Sequence, residues 1–413
     1  MSNNQSNRRQ FLQRSSFGAA ALGAVGVSAQ RVLGANDRIA VAIIGCGGRG
    51  MGFGGAEIKN LSEKENVHIA AVCDVWRNNR EAAVAKVKEW FGKTPYSTTR
   101  YPEILSRKEI DAVYIATPDH AHSPILADAA LCKKDAYCEK PMATTLYDAR
   151  DALRSVRDNQ IVCQIGTQRR SDGRHKAAAE FIRSGVLGKI SEVETAWHDA
   201  SPRWLKNDYK TIQKTDVDWD QYQMKLAKRA FDPMRFRCWH LWKDYTVGTP
   251  GLLGSHLIDV ATWFMDDPLP LKAVANGGVY VWNDGREHAD TLDCVIEYPK
   301  KFIVQYSTRL GNSCPVPEAI FYGLNGTFDT LSWTASNKGG RKDSPFKNPV
   351  KIEPKDDENH VQNWLQCIRT RRNPNAPIEA GYAHSVVSIM CFHSWEYGHR
   401  YAYDAARETI YPE

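Results

Sequence analysis

"IAVAIIGCGGRG", residues 39–50, joins a continuous apolar, largely β-branched run to a glycine-rich turn. The turn is a G-x-G-x-x-G, with Gly45, Gly47 and Gly50 at its fixed positions and Gly48 and Arg49 between them. It follows a strand pattern and opens a helix, the context that gives such a motif meaning. The first glycine allows a tight turn, the second a close approach to a pyrophosphate, the third helix-on-strand packing. Phosphates would then meet a helix N-terminus. Asp74 closes the next apolar run, "VHIAAVCD" (67–74). A carboxylate there suits the adenosine ribose diol and repels a 2′-phosphate, so NAD is expected over NADP, with Arg77 nearby pulling the other way.

Three further runs continue the pattern: "DAVYIAT" (111–117), "DAYCEK" (135–140) and "IVCQIG" (161–166). Helical stretches such as 78–91 and 145–158 alternate with them. Strands apolar on both faces and separated by helices predict a doubly wound parallel sheet, an α/β Rossmann domain. From about residue 167 the pattern changes. Residues 190–198, 271–282, 288–299, 301–310 and 318–331 read as successive strands, several alternating apolar with polar, as an open, mostly antiparallel sheet does. The expected organisation is a Rossmann domain over 36–166 and an α+β substrate and oligomerisation domain over 167–413, with scaffold helices at 360–372 and 384–398.

Residues 1–35 are set apart. Arg8 and Arg9 precede a 13-residue stretch of mostly small and apolar residues, Phe17 to Ala29. That is too short for a membrane span and fits an export signal. Arg-Arg-x-Phe-Leu resembles the twin-arginine type, which implies a periplasmic or otherwise exported protein. Removing its four arginines takes the formal charge from +6 to about +2. The remaining basic residues are spread among acids, which argues against nucleic acid. No later apolar run is long enough to span a membrane. The ten cysteines include no C-x-x-C and read as buried thiols.

"TPDHAH" (117–122) and "CEKPMA" (138–143) follow the glycine-rich turn in order. With it and Asp74 they resemble the Gfo/Idh/MocA oxidoreductases, the family of glucose–fructose oxidoreductase and inositol dehydrogenase. The resemblance implies that Thr117, Pro118, His122 and Glu139 shape the cofactor pocket and that Lys140 is the catalytic or substrate-orienting lysine. It also implies a homo-oligomer. Asp119 stands where relatives often have Asn. His256, in "GTPGLLGSHLIDVATWFMD" (248–266), matches a histidine that reaches the substrate hydroxyl, but Leu252 stands where relatives often carry its aspartate. Asp259 and Tyr245 are candidates to take over that role. Asp119, His120 and His122 sit at a strand-to-helix turn beside the expected nicotinamide, at a spacing that does not make a neighbouring ligand set, so no metal is expected.

The aromatic and basic stretch 201–245 suits sugar rings, whose apolar faces pack on flat side chains; Trp239 within it and Arg169 in "GTQRRSDGRH" (166–175) are expected substrate contacts. The same aromatics also suit a small core. The expected activity is NAD(P)-dependent oxidation of a sugar, cyclic polyol or glycoside CH–OH group with tightly bound NAD. Redox-neutral glycoside cleavage through transient oxidation, and non-catalytic sugar binding, stay open as alternatives.

Overall fold

A computed structural model describes residues 38–413. The export signal expected in residues 1–35 lies outside the described residues. The N-terminal part is a six-stranded sheet of β1 (Ile39–Ile44), β2 (Val67–Cys73), β3 (Tyr96–Thr98), β4 (Ala112–Ile115), β5 (Asp135–Cys138) and β6 (Cys163–Ile165). Its order is β3-β2-β1-β4-β5-β6 and every pairing is parallel. The apolar run in β1 is buried along its whole length, because helices cover both faces of the sheet. β3 was not expected: three residues, Tyr-Ser-Thr, carry no apolar periodicity, and pairing with the end of β2 makes them a strand.

The order reverses between β1 and β4, and such a switch point opens a crevice at the strands' carboxyl ends. The loop after β1 winds into a helical segment, residues 48–60, whose first turns (Gly48–Gly55) are wide before tightening at Ala56–Asn60. Tyr114 of β4 and Tyr137 of β5 stack at 4.3 Å, with Trp364 edge-on to both. Trp364 belongs to the helix His360–Thr370, so a segment late in the chain packs back on the first sheet.

The C-terminal part is a ten-stranded open sheet: β7 (Ile190–His198), β8 (Lys272–Gly278), β9 (Thr291–Tyr298), β10 (Phe302–Arg309), β11 (Ala319–Gly323), β12 (Gly326–Asp329), β13 (Thr334–Ser336), β14 (Val350–Lys351), β15 (Tyr401–Asp404) and β16 (Thr409–Pro412). Its pairings are antiparallel apart from β7 with β10. β9 alternates buried and solvated residues along its length. Two expectations change. The stretch 318–331 is a hairpin, β11 and β12, because Leu324-Asn325 turns the chain. The run 271–282 stops being a strand at Gly278, where Asp290 accepts the backbone N–H groups of Tyr280, Val281 and Trp282.

Candidate functional site

A cleft of about 520 Å³ runs from the glycine-rich loop to the helix that carries His256. Its floor is the end of β1. Gly45 has φ +89°, and a Cβ there would lie 2.5 Å from the Ala116 carbonyl oxygen. A Cβ at Gly50 would lie 1.8 Å from the Gly45 oxygen. Both glycines are required by the chain's own packing. Gly47 and Gly48 are different. A Cβ at 47 meets nothing nearer than Asn79 at 3.7 Å, and one at 48 meets nothing within 4 Å. Nothing inside the chain demands glycine there, whereas a ligand lying against that backbone does. The loop therefore fits a dinucleotide.

At one end of the cleft, Asp74 accepts the N–H groups of Cys46 (2.7 Å) and Trp76 (2.8 Å) and the Asn79 amide (3.3 Å). Burial pushes its pKa up, and these donors pull it back. Arg77 is held by the Thr215 carbonyl (2.6 Å) and by Asp216 (3.1 Å), and it does not line the cleft.

Thr117 and Pro118 form the turn after β4, and Asp119 begins the helix Asp119–Leu131. His122 lies between the turn after β4 and the turn after β5, one ring nitrogen 2.8 Å from the Thr117 oxygen and the other 2.8 Å from the Pro141 oxygen, and the neutral ring donates to one of these two carbonyls. Its pKa is lowered by burial. Asp119 accepts the Thr246 hydroxyl at 2.7 Å. Burial pushes its pKa up to about 7, opposed by Thr246 and Lys140. Glu139 is buried and accepts from Arg49 (2.6 Å) and from the Tyr114 hydroxyl (3.0 Å).

Lys140 donates to the main-chain oxygen of Leu252 at 2.6 Å. Burial lowers its pKa, while Asp119 and Glu139 draw it back up. His256 sits on the first turn of the helix Ser255–Met265, behind the wide turn Pro250–Gly254, with its ring 6.3 Å from that of Trp197. Burial and then Lys140 and Arg169 hold it well below the ordinary histidine value, so the imidazole is neutral. Among the described residues its Nδ1 has no partner. Leu252, at the expected acid's position, contributes an apolar wall and the carbonyl that Lys140 uses.

Of the four expected substrate contacts, Trp239 lines the cleft. Its ring stacks on His240 at 3.6 Å, and His240 also stacks on Trp204 at 5.4 Å. The other three are placed elsewhere. Asp259 is 2% exposed and grips the Arg170 guanidinium at 2.8–3.0 Å, because a carboxylate inside the protein needs a counter-charge. Tyr245 is 1% exposed, in an aromatic cluster with Trp219, Tyr222 and Phe236. Arg169 pairs with Glu318 at 2.9 Å, its guanidinium over the Trp197 ring at 5.8 Å, and it does not line the cleft. The stretch 201–245 is thus both an aromatic core and a cleft wall. Arg203, Lys206 and Trp197 also line the cleft and were not singled out from sequence. The signal for two of them was the alternation of cation and tryptophan in Arg203-Trp204-Leu205-Lys206. Among the described residues no group of three or more His, Cys, Asp or Glu side chains gathers to hold a metal.

The same stretch ties down both ends of the cleft. Near Asp74, Val217 bridges Trp76, Asp218 donates its N–H to the Val75 oxygen (2.9 Å), and the Thr99 hydroxyl donates to the Asp218 carboxylate (2.7 Å). Near Lys140, His120 donates its N–H to the Tyr245 oxygen (3.0 Å) and Thr246 bonds Asp119.

Comparison with known proteins matches this geometry. Residues 39–167 match the oxidoreductase family's NAD-binding Rossmann fold, and residues 179–403 match that family's C-terminal alpha/beta domain. The chain is 31% identical to the inositol 2-dehydrogenase of Rubrobacter xylanophilus over 45% of this chain and 52% of that protein. It is 29% identical to glycosyl hydrolase family 109 protein 2 of Shewanella sp. over 42% of this chain and 39% of that protein. The chain thus spans about half the length, or less, of these curated relatives. The crystal structure of the aldose-aldose oxidoreductase of Caulobacter crescentus, complexed with glycerol, superposes with a TM-score of 0.66 at 18% identity, covering 89% of this chain and 100% of that one. With both halves matched in order, the chain belongs to the Gfo/Idh/MocA oxidoreductase family.

Proposed function

We propose that the protein is an NAD-dependent oxidoreductase acting on a CH–OH group of a sugar or cyclic polyol, with NAD tightly held. The observation that carries this reading is the continuous cleft joining a glycine loop open to a ligand with Lys140 and His256. Gly45, Gly47, Gly48, Arg49 and Gly50 would hold the pyrophosphate, Asp74 the ribose, and Thr117 and Pro118 the inner end. His122 and Glu139 keep the surrounding turns in place. NAD, when bound, supplies hydride acceptance and return. Lys140, its proton affinity lowered by burial, takes the proton of the reacting hydroxyl and gives it back in the reverse direction. The neutral His256, whose side chain lines the cleft with Lys140, orients that hydroxyl.

Arg77 is bound to the stretch 201–245 and Asp74 faces the cleft, which supports NAD over NADP. The stretch 201–245, which lines the cleft and is bonded at both its ends as a strap would be, supports retention of the cofactor. Retention suits export by the twin-arginine route, which carries folded cargo; export to the periplasm is part of the proposal, as is a homo-oligomer built on the open face of the ten-stranded sheet. There Val274 and Val295 are cross-strand neighbours, 44% and 39% exposed.

The test is to desalt the purified protein, denature it and assay the supernatant for nicotinamide cofactor. Near-stoichiometric NAD is expected. A protein that comes empty and does not bind added NAD overturns the reading. The relative named as a family 109 glycosyl hydrolase favours a second reading: the same cleft cleaves a glycoside with no net redox change. Release of an aglycone without accumulation of reduced cofactor separates the two.

A further inference from the structure

The cleft's charged groups are unevenly matched. Arg49 is paired with Glu139, Arg237 with Asp208, and Lys140 is bound to the Leu252 carbonyl. Arg203 lines the cleft and pairs with Asp199, which does not. Lys206 lines the cleft and, among the described residues, its ammonium makes no hydrogen bond or close ion pair; its nearest acid, Asp208, is held by Arg237, so two cations share one carboxylate there. The carboxylates that line the cleft are Asp74, Asp119 and Glu139. Asp74 is occupied by three donors, Glu139 by Arg49 and Tyr114, and Asp119 by Thr246. None of the three belongs to the wall that Arg203, Lys206 and the rings of Trp204, Trp239 and His240 make.

That wall has a chemical bias. Ammonium and guanidinium groups only donate hydrogen bonds. A neutral sugar presents hydroxyls that must donate as well as accept, and the two cations of this wall answer only the accepting half of that capacity. A carboxylate, sulfate or phosphate accepts only, and cations bind it through strong charge-assisted hydrogen bonds. The field agrees: Lys206, Lys140, Arg203 and Arg237 all hold His240 well below the ordinary histidine value, beyond the effect of burial. The flat stack of Trp204, His240 and Trp239 beside these cations suits the apolar face of a ring.

Resting on the oxidoreductase reading above, we propose that the substrate is a carbohydrate carrying an anionic substituent, a carboxylate or a sulfate or phosphate ester, bound by Lys206 and Arg203 while its ring lies on the Trp204–His240–Trp239 stack. Lys206 is then a specificity-determining residue, and Lys140 remains the group that moves the proton.

The experiment titrates the holoenzyme, followed by tryptophan fluorescence, with glucuronate, glucose 6-sulfate, glucose 6-phosphate and glucose. At least one anionic probe should bind about tenfold or more tighter than glucose; which one distinguishes carboxylate from ester. Raising salt from about 0.05 to about 0.5 M should weaken that probe and leave glucose unchanged. Lys206→Met should erase the preference, and Lys206→Arg should restore it, at unchanged cofactor content. Equal binding of glucose and the anions, or a preference insensitive to salt, overturns the proposal with no variant needed. Loss of cofactor in Lys206→Met also overturns it, because the lysine then serves the nucleotide. Failure of the oxidoreductase reading is seen separately, as wild-type protein without nicotinamide cofactor.

Discussion

The Lys140 ammonium donates to the Leu252 main-chain oxygen across 2.6 Å, fixing the lysine after β5 to the wide turn that introduces His256. Lys140→Met should lower turnover by about 10²–10⁴-fold, the range for loss of a proton-transferring group, while cofactor content after desalting stays at the wild-type level. Because burial lowers the lysine's pKa, wild-type oxidation should rise with pH and level off below the ordinary lysine range. The reverse reaction needs the ammonium and should fall over the same interval. Unchanged turnover in the variant sinks the assignment.

Leu252→Asp should move that pH limb. A carboxylate beside Lys140 favours the ammonium, so the midpoint should rise by about 1–3 pH units. Leu252→Asn, similar in size and uncharged, should leave it in place. A limb that stays put in both variants would mean that the titrating group is not Lys140.

The two kinds of glycine in the loop should separate cleanly. Gly47 sits at φ −70° with room for a methyl group, so Gly47→Ala should melt within a few degrees of wild type, yet bind NAD at least about tenfold more weakly if a ligand lies against that backbone. Gly50→Ala pushes a Cβ into the Gly45 carbonyl and should cost stability directly. Calorimetry of the cofactor-free proteins and NAD titrations test both. Equal NAD affinity in Gly47→Ala and wild type would remove the ligand-based reason for that glycine.

Five of the six strands of the first sheet were readable because they are largely buried and announce themselves as apolar runs; the short edge strand β3 carries no such run. Site residues following those runs, from Gly45 to Lys140, are placed by strand ends and were equally readable. Reach was lost where position depends on tertiary packing. Asp259 and Leu252 lie on the same helical segment, but which side chain meets the cleft depends on Arg170, from another element, capturing the carboxylate. Tyr245 and Trp239 sit six residues apart in a stretch whose composition fits a core and a ligand wall alike, and it is both. Lys206 had only the cation–tryptophan alternation of 203–206 to mark it, and that pattern does not say which cation is left without an ion pair; packing decides it.

Asp218→Ala should loosen the strap. It removes the acceptor for Thr99 and the cap on the helical turn Trp219–Gln223, at about 1 kcal/mol of stability. NAD release, followed with a scavenging dehydrogenase, should quicken by about tenfold. Identical release rates would detach the strap from cofactor retention.

Acid should destabilise the fold early. Burial depresses His120, His288, His360 and His384 to about 4. The unfolded chain then binds more protons than the folded one between roughly pH 6.5 and 4, so their stabilisation is complete above that window and is lost through it. Each ring contributes about 1.4 kcal/mol for every pH unit separating its folded value from the ordinary histidine value. Asp119, raised to about 7, and Asp74, also raised by burial, work in the opposite sense, while the buried His122, His240 and His256, lowered too, add to the histidine side. The melting temperature should fall steeply from pH 6.5 to 4, and a flat profile would contradict neutral burial of these rings.

The Arg49–Glu139 pair spans the distance between the glycine loop and the residue next to Lys140. Glu139 raises the lysine's proton affinity and Arg49 lowers it, so at Lys140 the two effects offset each other only while the pair is intact. Whatever draws the arginine off its carboxylate leaves the lysine facing an unbalanced negative charge and makes it a weaker acid. Occupancy at the nucleotide end and basicity at the reacting end are thereby linked quantities, joined by a single guanidinium.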